Sequence, residues 1–142
     1  MAKFVIHKRG FFYNDEAYNV VEGVNGSIVE AFSNLEDAKR EKENQDIISM
    51  QNLKEMGVED FFFYNNNYDR VYNQFKDYYN LEFCLNIEEM DYFCFPKEIT
   101  KEQAIKFLEI LNITFHDIVE YNDNEELNFD DFNIKEFELE EF

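Results

Sequence analysis

The sequence is poor in the residues on which many catalytic and cofactor sites depend. It contains no Trp, four Gly, two Cys and two His. The cysteines, Cys84 and Cys94, form no CxxC pair and are too few for a zinc site. The glycines form no phosphate-binding loop, which argues against nucleotide binding. The lack of Trp argues against a carbohydrate hydrolase, because enzymes of that class usually stack the sugar on this ring.

Activated nucleophiles are also scarce. A Cys–His pair would have to combine Cys84 or Cys94 with His7 or His116, and no local motif supports such a pairing. We expect the cysteines to be buried, reduced thiols and the histidines to be partly exposed. Three Ser and two Thr are the hydroxyl nucleophiles, and most of them flank a predicted turn or cap a predicted helix. The sequence therefore predicts a protein that is not an enzyme and uses no cofactor.

Lys and Arg are scarce beside Asp and Glu, with thirteen bases against thirty-two acids and a net charge of −19. Residues 1–58 carry ten acids and seven bases, whereas residues 59–142 carry twenty-two acids and six bases. Binding to DNA, RNA or an anionic membrane needs cations that displace counterions, so direct binding to these partners is disfavoured. A charge this far from zero opposes compaction through self-repulsion, and it favours a strongly basic protein as the partner.

The apolar content predicts a folded chain. Hydrophobic residues make up 45% of it and aromatic residues 18%, which is too apolar for a disordered acidic chain. We predict one α+β domain at residues 1–121, an N-terminal antiparallel meander packed with three to five helices. An acidic and aromatic segment at residues 122–142 should pack on it. The start lacks an apolar run of signal-peptide length, and no stretch reaches the roughly 20 apolar residues of a membrane span. We expect a cytoplasmic protein of a bacterial cell, with a phage or prophage as one origin.

Short β-prone runs occupy residues 1–32. Residues 4–8 predict a strand, Arg9 and Gly10 a turn, and residues 11–13 its continuation. Residues 20–24 and 27–32 flank Asn25 and Gly26, whose tolerance of positive φ predicts a tight type I′ hairpin.

A capping box marks the first helix. Ser33 with Glu36 predicts a helix from Asn34 to about Met56, with Gly57 as its stop. Residues 39–46 in its middle are wholly polar, so that stretch is either solvated or a break between two helices.

Three later segments have helical signals. Tyr and Phe spacing predicts a helix over residues 68–79, capped by the Asn run at 65–67. Thr100 with Gln103 forms a second capping box and predicts a helix to residue 111; its inward face should comprise Ala104, Ile105, Leu108 and Leu111. Residues 114–121 are expected to form a short helix. Residues 83–95 are either a strand pair that brings Cys84 near Cys94 or a short helix from Asn86 followed by a strand.

Residues 122–142 hold nine acids and one base, with apolar residues recurring between the acids. An EF-hand loop starting at Asp123 would need an oxygen ligand at position 5, Gly at position 6 and Glu at position 12. Those positions hold Leu127, Asn128 and Ile134, so the calcium motif fails and we predict no metal site.

The acids of the second half are therefore predicted to bind a partner. A compact chain of this length has a radius of gyration of about 14–15 Å. Duplex DNA of matching width, roughly 37 Å, carries roughly 22 charges, close to the net charge of −19. Carboxylates two apart on a strand, about 6.6 Å, match phosphate spacing. The predicted track consists of Glu88, Glu89, Asp91, Asp123, Glu125, Glu126, Asp130, Asp131, Glu136, Glu138, Glu140 and Glu141.

The chain is similar to phage-encoded anti-restriction and anti-CRISPR proteins in size, charge and the lack of an active site. This is a resemblance of composition, without a shared motif. It implies an acidic nucleic-acid mimic that binds the basic surface of a target. An immunity protein that neutralises a basic toxin such as a nuclease is the alternative, with a focused hot spot of Tyr and acids. That site would comprise Asp60, Tyr64, Tyr68, Asp69 and Tyr72. A small carboxylate-based enzyme and an acidic adaptor are further alternatives.

Overall fold

The structure is a computed structural model that describes residues 2–62, 67–90, 93–122 and 139–142. It has an α+β fold, as predicted, with a three-stranded antiparallel sheet and, within the described residues, three α-helices. The chain divides into two compact units. The first comprises Met1–Phe12, Val20–Ser49 and Thr114–Phe142, and the second Tyr13–Asn19 and Met50–Ile113. The prediction of one domain with a packed C-terminal segment stays a prediction.

The sheet has the order β2-β1-β3, with β1 at Lys3–Tyr13, β2 at Tyr18–Phe32 and β3 at His116–Tyr121. β1 runs unbroken through Arg9 and Gly10, so the predicted turn there is wrong. Backbone pairing keeps this stretch extended. The Arg9 N–H donates to the Phe115 carbonyl at 3.0 Å, and Phe11 exchanges two 2.8 Å backbone hydrogen bonds with Glu140.

The predicted hairpin turn at Asn25 and Gly26 is also wrong, because both residues lie inside β2. The reversal between β1 and β2 occurs instead after Asn14, whose side-chain oxygen accepts from the N–H groups of Glu16 and Ala17 at 3.1 and 2.9 Å. Gly26 is buried where β2 passes so close to β1 that a Cβ would overlap the Lys8 carbonyl oxygen. The lack of a side chain at this position therefore permits the close approach of the two strands, and Gly26 is not part of a turn.

The prediction of a short helix at residues 114–121 is wrong, because residues 116–121 form the strand β3. It pairs antiparallel with β1 over six residues, from Lys3 opposite Tyr121 to Lys8 opposite His116. Arg9 and Asp117 reinforce the pair, since the guanidinium donates to both carboxylate oxygens at 2.8 Å. The long-range ladder outweighs the local helical preference.

The first α-helix, α1, spans Leu35–Gln51. Asn34, and not Ser33, caps it, since its side-chain oxygen accepts from the N–H groups of Glu36 and Asp37 at 2.8 and 3.4 Å. The polar middle is an unbroken helix whose residues are exposed or half-buried, except Asp46, which is buried. Gly57 does not stop the helix. It lies six residues beyond the end, in an isolated β-bridge with Cys94.

Two helices organise the second unit. α2 at Tyr68–Phe83 begins at the predicted cap Asn67, and α3 at Lys101–Leu111 begins at the predicted Thr100 capping box. The inward face of α3 was only partly right, because Phe107 and Ile110 are buried whereas Ile105 is 38% exposed.

In the described residues 83–90 and 93–95, the helical part of the second predicted alternative is present. A 3-10 helix at Ile87–Glu89 is capped by Asn86, and the expected strand is represented in these residues by an isolated β-bridge at Cys94. Cys84 is exposed and Cys94 half-buried, and both are free thiols, so the prediction of a buried thiol is wrong for Cys84.

Aromatic rings fill the core of the second unit. Tyr79 lies 4.8 Å from Phe93 and 5.8 Å from Phe107, measured between ring centroids, and Phe75 lies 6.2 Å from Phe95. The Tyr79 hydroxyl donates to the Cys94 carbonyl at 3.0 Å, and burial raises the pKa of Tyr79. This cluster holds α2 and α3 against the 93–95 segment.

Candidate partner-binding pocket

The second unit contains a pocket of about 230 Å³. Its polar lining comes from Glu59, Asp60, Tyr72 and Glu88, together with the backbone of Gly57. Its apolar lining comes from Ile87, Met90 and Phe93. We call these eight residues the acidic aromatic pocket.

One wall of the pocket is a 3-10 helix at Val58–Phe61. Val58 and Phe61 are fully buried, which turns the intervening Glu59 and Asp60 towards the surface. Backbone hydrogen bonds fix the start of this wall: the Val58 N–H donates to the Phe93 carbonyl at 2.9 Å. The Tyr13 hydroxyl donates to Asp60 at 3.3 Å and so restrains that carboxylate.

The second wall is the start of α2. Tyr72 is half-buried and Tyr68 is 52% exposed, and their rings lie parallel within 8° at a centroid distance of 6.2 Å. Partial burial raises the pKa of Tyr68, and the nearby Glu59 carboxylate adds to the increase. The tyrosine pair therefore presents flat rings next to carboxylates.

The third wall is the 3-10 helix at Ile87–Glu89. Asn86 caps it by accepting from the Glu88 N–H at 3.1 Å, which fixes the backbone at the start of this helix. Glu88 forms an ion pair with Lys76 of α2, and the hydrogen bond from that pair raises the pKa of Lys76. Because both groups are exposed, water and salt screen this pair strongly.

Carboxylates near the pocket raise the pKa values of neighbouring groups. Asp69 and Glu59 act on Tyr68, Asp77 and Glu88 act on Lys76, and Asp60 acts on the thiol of Cys94. Each of these carboxylates favours the protonated form of its neighbour. Burial is the main reason that the pKa of Cys94 is raised, with Glu55 and Asp60 adding to it. A thiol with a raised pKa is a poor nucleophile.

The structure places members of both predicted binding sets in this pocket. Glu88, predicted for the nucleic-acid mimic, lines the same cavity as Asp60 and Tyr72, which were predicted for the immunity protein. Tyr68 stacks on Tyr72, and Asp69, which follows Tyr68 in α2, is exposed.

The other predicted residues have separate places. Glu89 is exposed beside the pocket in the same 3-10 helix. Glu140 and Glu141 belong to the first unit. Glu140 is exposed, whereas Glu141 accepts a 2.8 Å hydrogen bond from Ser27 and so helps to hold the chain end on the sheet. Outside the described residues lie Tyr64, Asp91, Asp123, Glu125, Glu126, Asp130, Asp131, Glu136 and Glu138, together with the tested calcium loop.

Sequence reasoning missed five residues of the pocket: Gly57, which was predicted only as a helix stop, and Glu59, Ile87, Met90 and Phe93. Glu59 and Ile87 are sequence neighbours of the predicted Asp60 and Glu88, so their positions next to predicted residues could have identified them. Phe93 reaches the pocket through the pairing of its carbonyl with Val58. That contact joins residues far apart in sequence, so no local sequence pattern predicts it.

The histidines are buried within the first unit, so the expectation of partial exposure is wrong. His7 Nδ1 donates to the Gly26 carbonyl at 2.9 Å, and Nε2 lies 2.9 Å from the Tyr121 hydroxyl. Burial lowers the pKa of His7, which favours the neutral ring, and Nε2 then accepts from Tyr121. The ring thus links three strands of the sheet.

His116 has a buried carboxylate partner. Its Nδ1 donates to Asp46 at 2.8 Å, and Asp46 also accepts from the Phe115 N–H at 2.9 Å and from Lys42 at 2.8 Å. Burial alone would raise the pKa of Asp46, but these hydrogen bonds together lower it. Both side chains are at least 95% buried, so the pair connects α1 to β3 and has no access to a substrate from solvent.

Within the described part of the chain, no group of three or more His, Cys, Asp or Glu side chains is placed to hold a metal ion. None of the helices described is both long and apolar enough to cross a membrane. Comparison with known proteins finds no match, whether to a protein family, to a curated protein or to a solved structure.

Proposed function

We propose that this protein is an acidic inhibitor that binds the basic nucleic-acid-binding surface of a target protein, as a mimic of DNA or RNA. It acts without catalysis, in the cytoplasm of a bacterial cell, and a phage or prophage is one origin. Its target is a nucleic-acid-binding enzyme or effector complex. The observation that carries the proposal is the net charge of −19 on a folded α+β chain.

The distribution of carboxylates supports this proposal. With thirteen bases for thirty-two acids, a surplus of nineteen acids remains even if every base forms an ion pair. On α2, Asp69 and Asp77 are exposed eight residues apart, which corresponds to about 12 Å along the helix. That distance is close to two phosphate spacings. A cationic groove would attract such a surface from a distance and so accelerate association.

The experiment uses the protein, immobilised, to capture its target from a bacterial lysate, with elution by a short DNA or RNA duplex. The captured protein is then purified, and displacement of a labelled duplex is followed by fluorescence anisotropy. We expect competition between duplex and inhibitor, and association that slows about tenfold or more as salt rises to physiological strength. A target that holds the duplex and this protein simultaneously, or a capture insensitive to both duplex and salt, would overturn the proposal.

The acidic aromatic pocket favours a second candidate, an immunity protein that neutralises a basic toxin such as a nuclease. Tyr is enriched in concentrated binding hot spots, and Tyr72 lines this pocket together with acids. This candidate predicts that one pocket substitution removes most of the affinity. A distributed mimic predicts that each single substitution has a small effect. An adjacent toxin gene would favour the immunity protein, whereas neighbouring anti-defence genes would favour the mimic.

A further inference from the structure

We infer that the acidic aromatic pocket binds the guanidinium group of an arginine on the partner protein. The inference rests on the proposed function only in taking the partner to be a basic protein. It specifies the chemistry of the contact and the residues that make it.

The size of the pocket suits one side chain. Pockets for drug-sized ligands usually enclose about 300–1,000 Å³, and this pocket encloses about 230 Å³. An arginine side chain is long enough to enter it while the rest of the partner stays at the rim. Buried Ile87 and Phe93 offer apolar contact for the methylene groups of such a side chain.

The chemistry of the walls suits a planar cation. A guanidinium stacks on aromatic rings and donates up to five hydrogen bonds in a fixed fork. Tyr72 supplies a ring, held parallel to Tyr68. Asp60 and Glu59 supply carboxylates on the adjoining wall. A carboxylate offers about four acceptor positions, so the single bond from Tyr13 to Asp60 leaves capacity for a partner.

The chain itself places a cation at the rim. Lys76 pairs with Glu88, a lining residue, and this contact raises the pKa of Lys76. This ion pair places one positive charge of the chain next to a carboxylate that lines the pocket. Because the pair is exposed and therefore weak, an arginine with better geometry can displace Lys76 or bind next to it. Lysine from a partner is a poorer fit, since its compact, strongly hydrated charge does not stack.

The test is an NMR titration of the whole, isotope-labelled protein with N-acetyl-arginine amide. N-acetyl-citrulline amide, which is nearly isosteric and neutral, and N-acetyl-lysine amide are the comparison probes. We expect amide shifts concentrated at Gly57, Glu59 and Tyr72 with the arginine probe, smaller shifts with lysine and none with citrulline. Equal shifts with citrulline, shifts spread over all acidic surfaces, or no shifts at the solubility limit would each overturn the inference.

Matched variants make the test specific. The double variant Glu59→Gln, Asp60→Asn removes two charges from the pocket with little change in shape. The control, Glu102→Gln with Glu109→Gln, removes two charges from the exposed side of α3. We expect the pocket variant to weaken binding of the arginine probe about tenfold or more and the control to retain it. Equal weakening in both would show that general charge, and not the pocket, attracts the probe.

The two proposals fail in different ways. If the arginine probe binds in the pocket but no nucleic-acid-competed target is captured, the inhibitor proposal is wrong and the pocket assignment stands. If a duplex-competed target is captured with full affinity by the pocket variant, the arginine assignment is wrong and the inhibitor proposal stands. Thermal unfolding of each variant verifies that the fold is intact.

Discussion

Asp46 on α1 accepts a 2.8 Å hydrogen bond from His116 on β3, and both side chains are almost completely buried. The same carboxylate accepts from the Phe115 backbone and from Lys42. One acidic side chain therefore satisfies three donors and joins the longest helix described to the strand at the sheet edge. In a chain with surplus acids on its surface, this acid has an internal, structural role.

Replacement of Asp46 by Ala should destabilise the protein by about 3–5 kcal/mol, because it leaves two donors and the Lys42 charge without their acceptor. Urea unfolding measures the loss. Glu43→Ala, at an exposed position on the same helix, is the matched control and should change stability by less than about 0.5 kcal/mol. His116→Ala combined with Asp46→Ala should cost less than the sum of the two single changes. Equal stability of the Asp46 and Glu43 variants would contradict this role.

His7 should make stability depend on pH below about 6.5. Burial lowers the pKa of His7 in the folded state, whereas the unfolded chain titrates near pH 6.5. As pH falls below about 6.5, the unfolded state binds a proton that the folded state resists, so stability falls until the folded pKa is reached. Each unit of lowering corresponds to about 1.4 kcal/mol. The nearby Asp117 carboxylate opposes the shift but does not cancel it.

Urea unfolding of the native protein and of His7→Gln at several pH values isolates this effect, because the two proteins share every other titrating group. The difference in stability between them should change with pH in the stated window. An NMR titration of the His7 ring should give a midpoint below 6.5. A midpoint at or above that value, or a constant difference in stability, would contradict the prediction.

Gly26→Ala should destabilise the protein by about 1–3 kcal/mol, because the new Cβ meets the backbone of Lys8 and not a flexible side chain. The shift should also disturb the hydrogen bond from His7 to the Gly26 carbonyl, visible as a change in the His7 ring signals. Gly23→Ala is the comparison within β2. It meets no atom within 4 Å, but its φ of 79° is unfavourable for Ala, so we expect a cost of about 1–2 kcal/mol and unchanged His7 signals. Full stability of Gly26→Ala would show that the strands can separate locally.

Local signals in the sequence predicted the helices of the second unit well. The caps at Asn67 and Thr100 and the spacing of rings along α2 depend on residues within one or two helical turns of each other. The helical periodicity of α3 did not predict correctly which of its apolar residues are buried. Phe107 is buried because its ring packs against aromatic rings from segments distant in sequence.

The pocket, like the burial of Phe107, depends on contacts between segments distant in sequence. Acids and tyrosines at 60–72 indicated a binding surface, and Glu88 was predicted for a different one. The pairing of Val58 with Phe93 and the ion pair of Lys76 with Glu88, both between segments apart in sequence, help to bring the two groups into one cavity. Neither the shared cavity nor its apolar lining can be derived from the spacing of residues along the chain.

The sequence by itself determined the sign and excess of the charge, the α+β class and the caps of α2 and α3, since these depend on composition and on contacts between near neighbours. Tertiary structure decided that Asn25 and Gly26 lie inside a strand, that residues 116–121 pair with β1, and that Asp46 is buried beside His116. The physical reason is that hydrogen bonds between segments far apart in sequence outweigh local preferences of a fraction of a kcal/mol to about 1 kcal/mol, and those bonds exist only once the chain has folded.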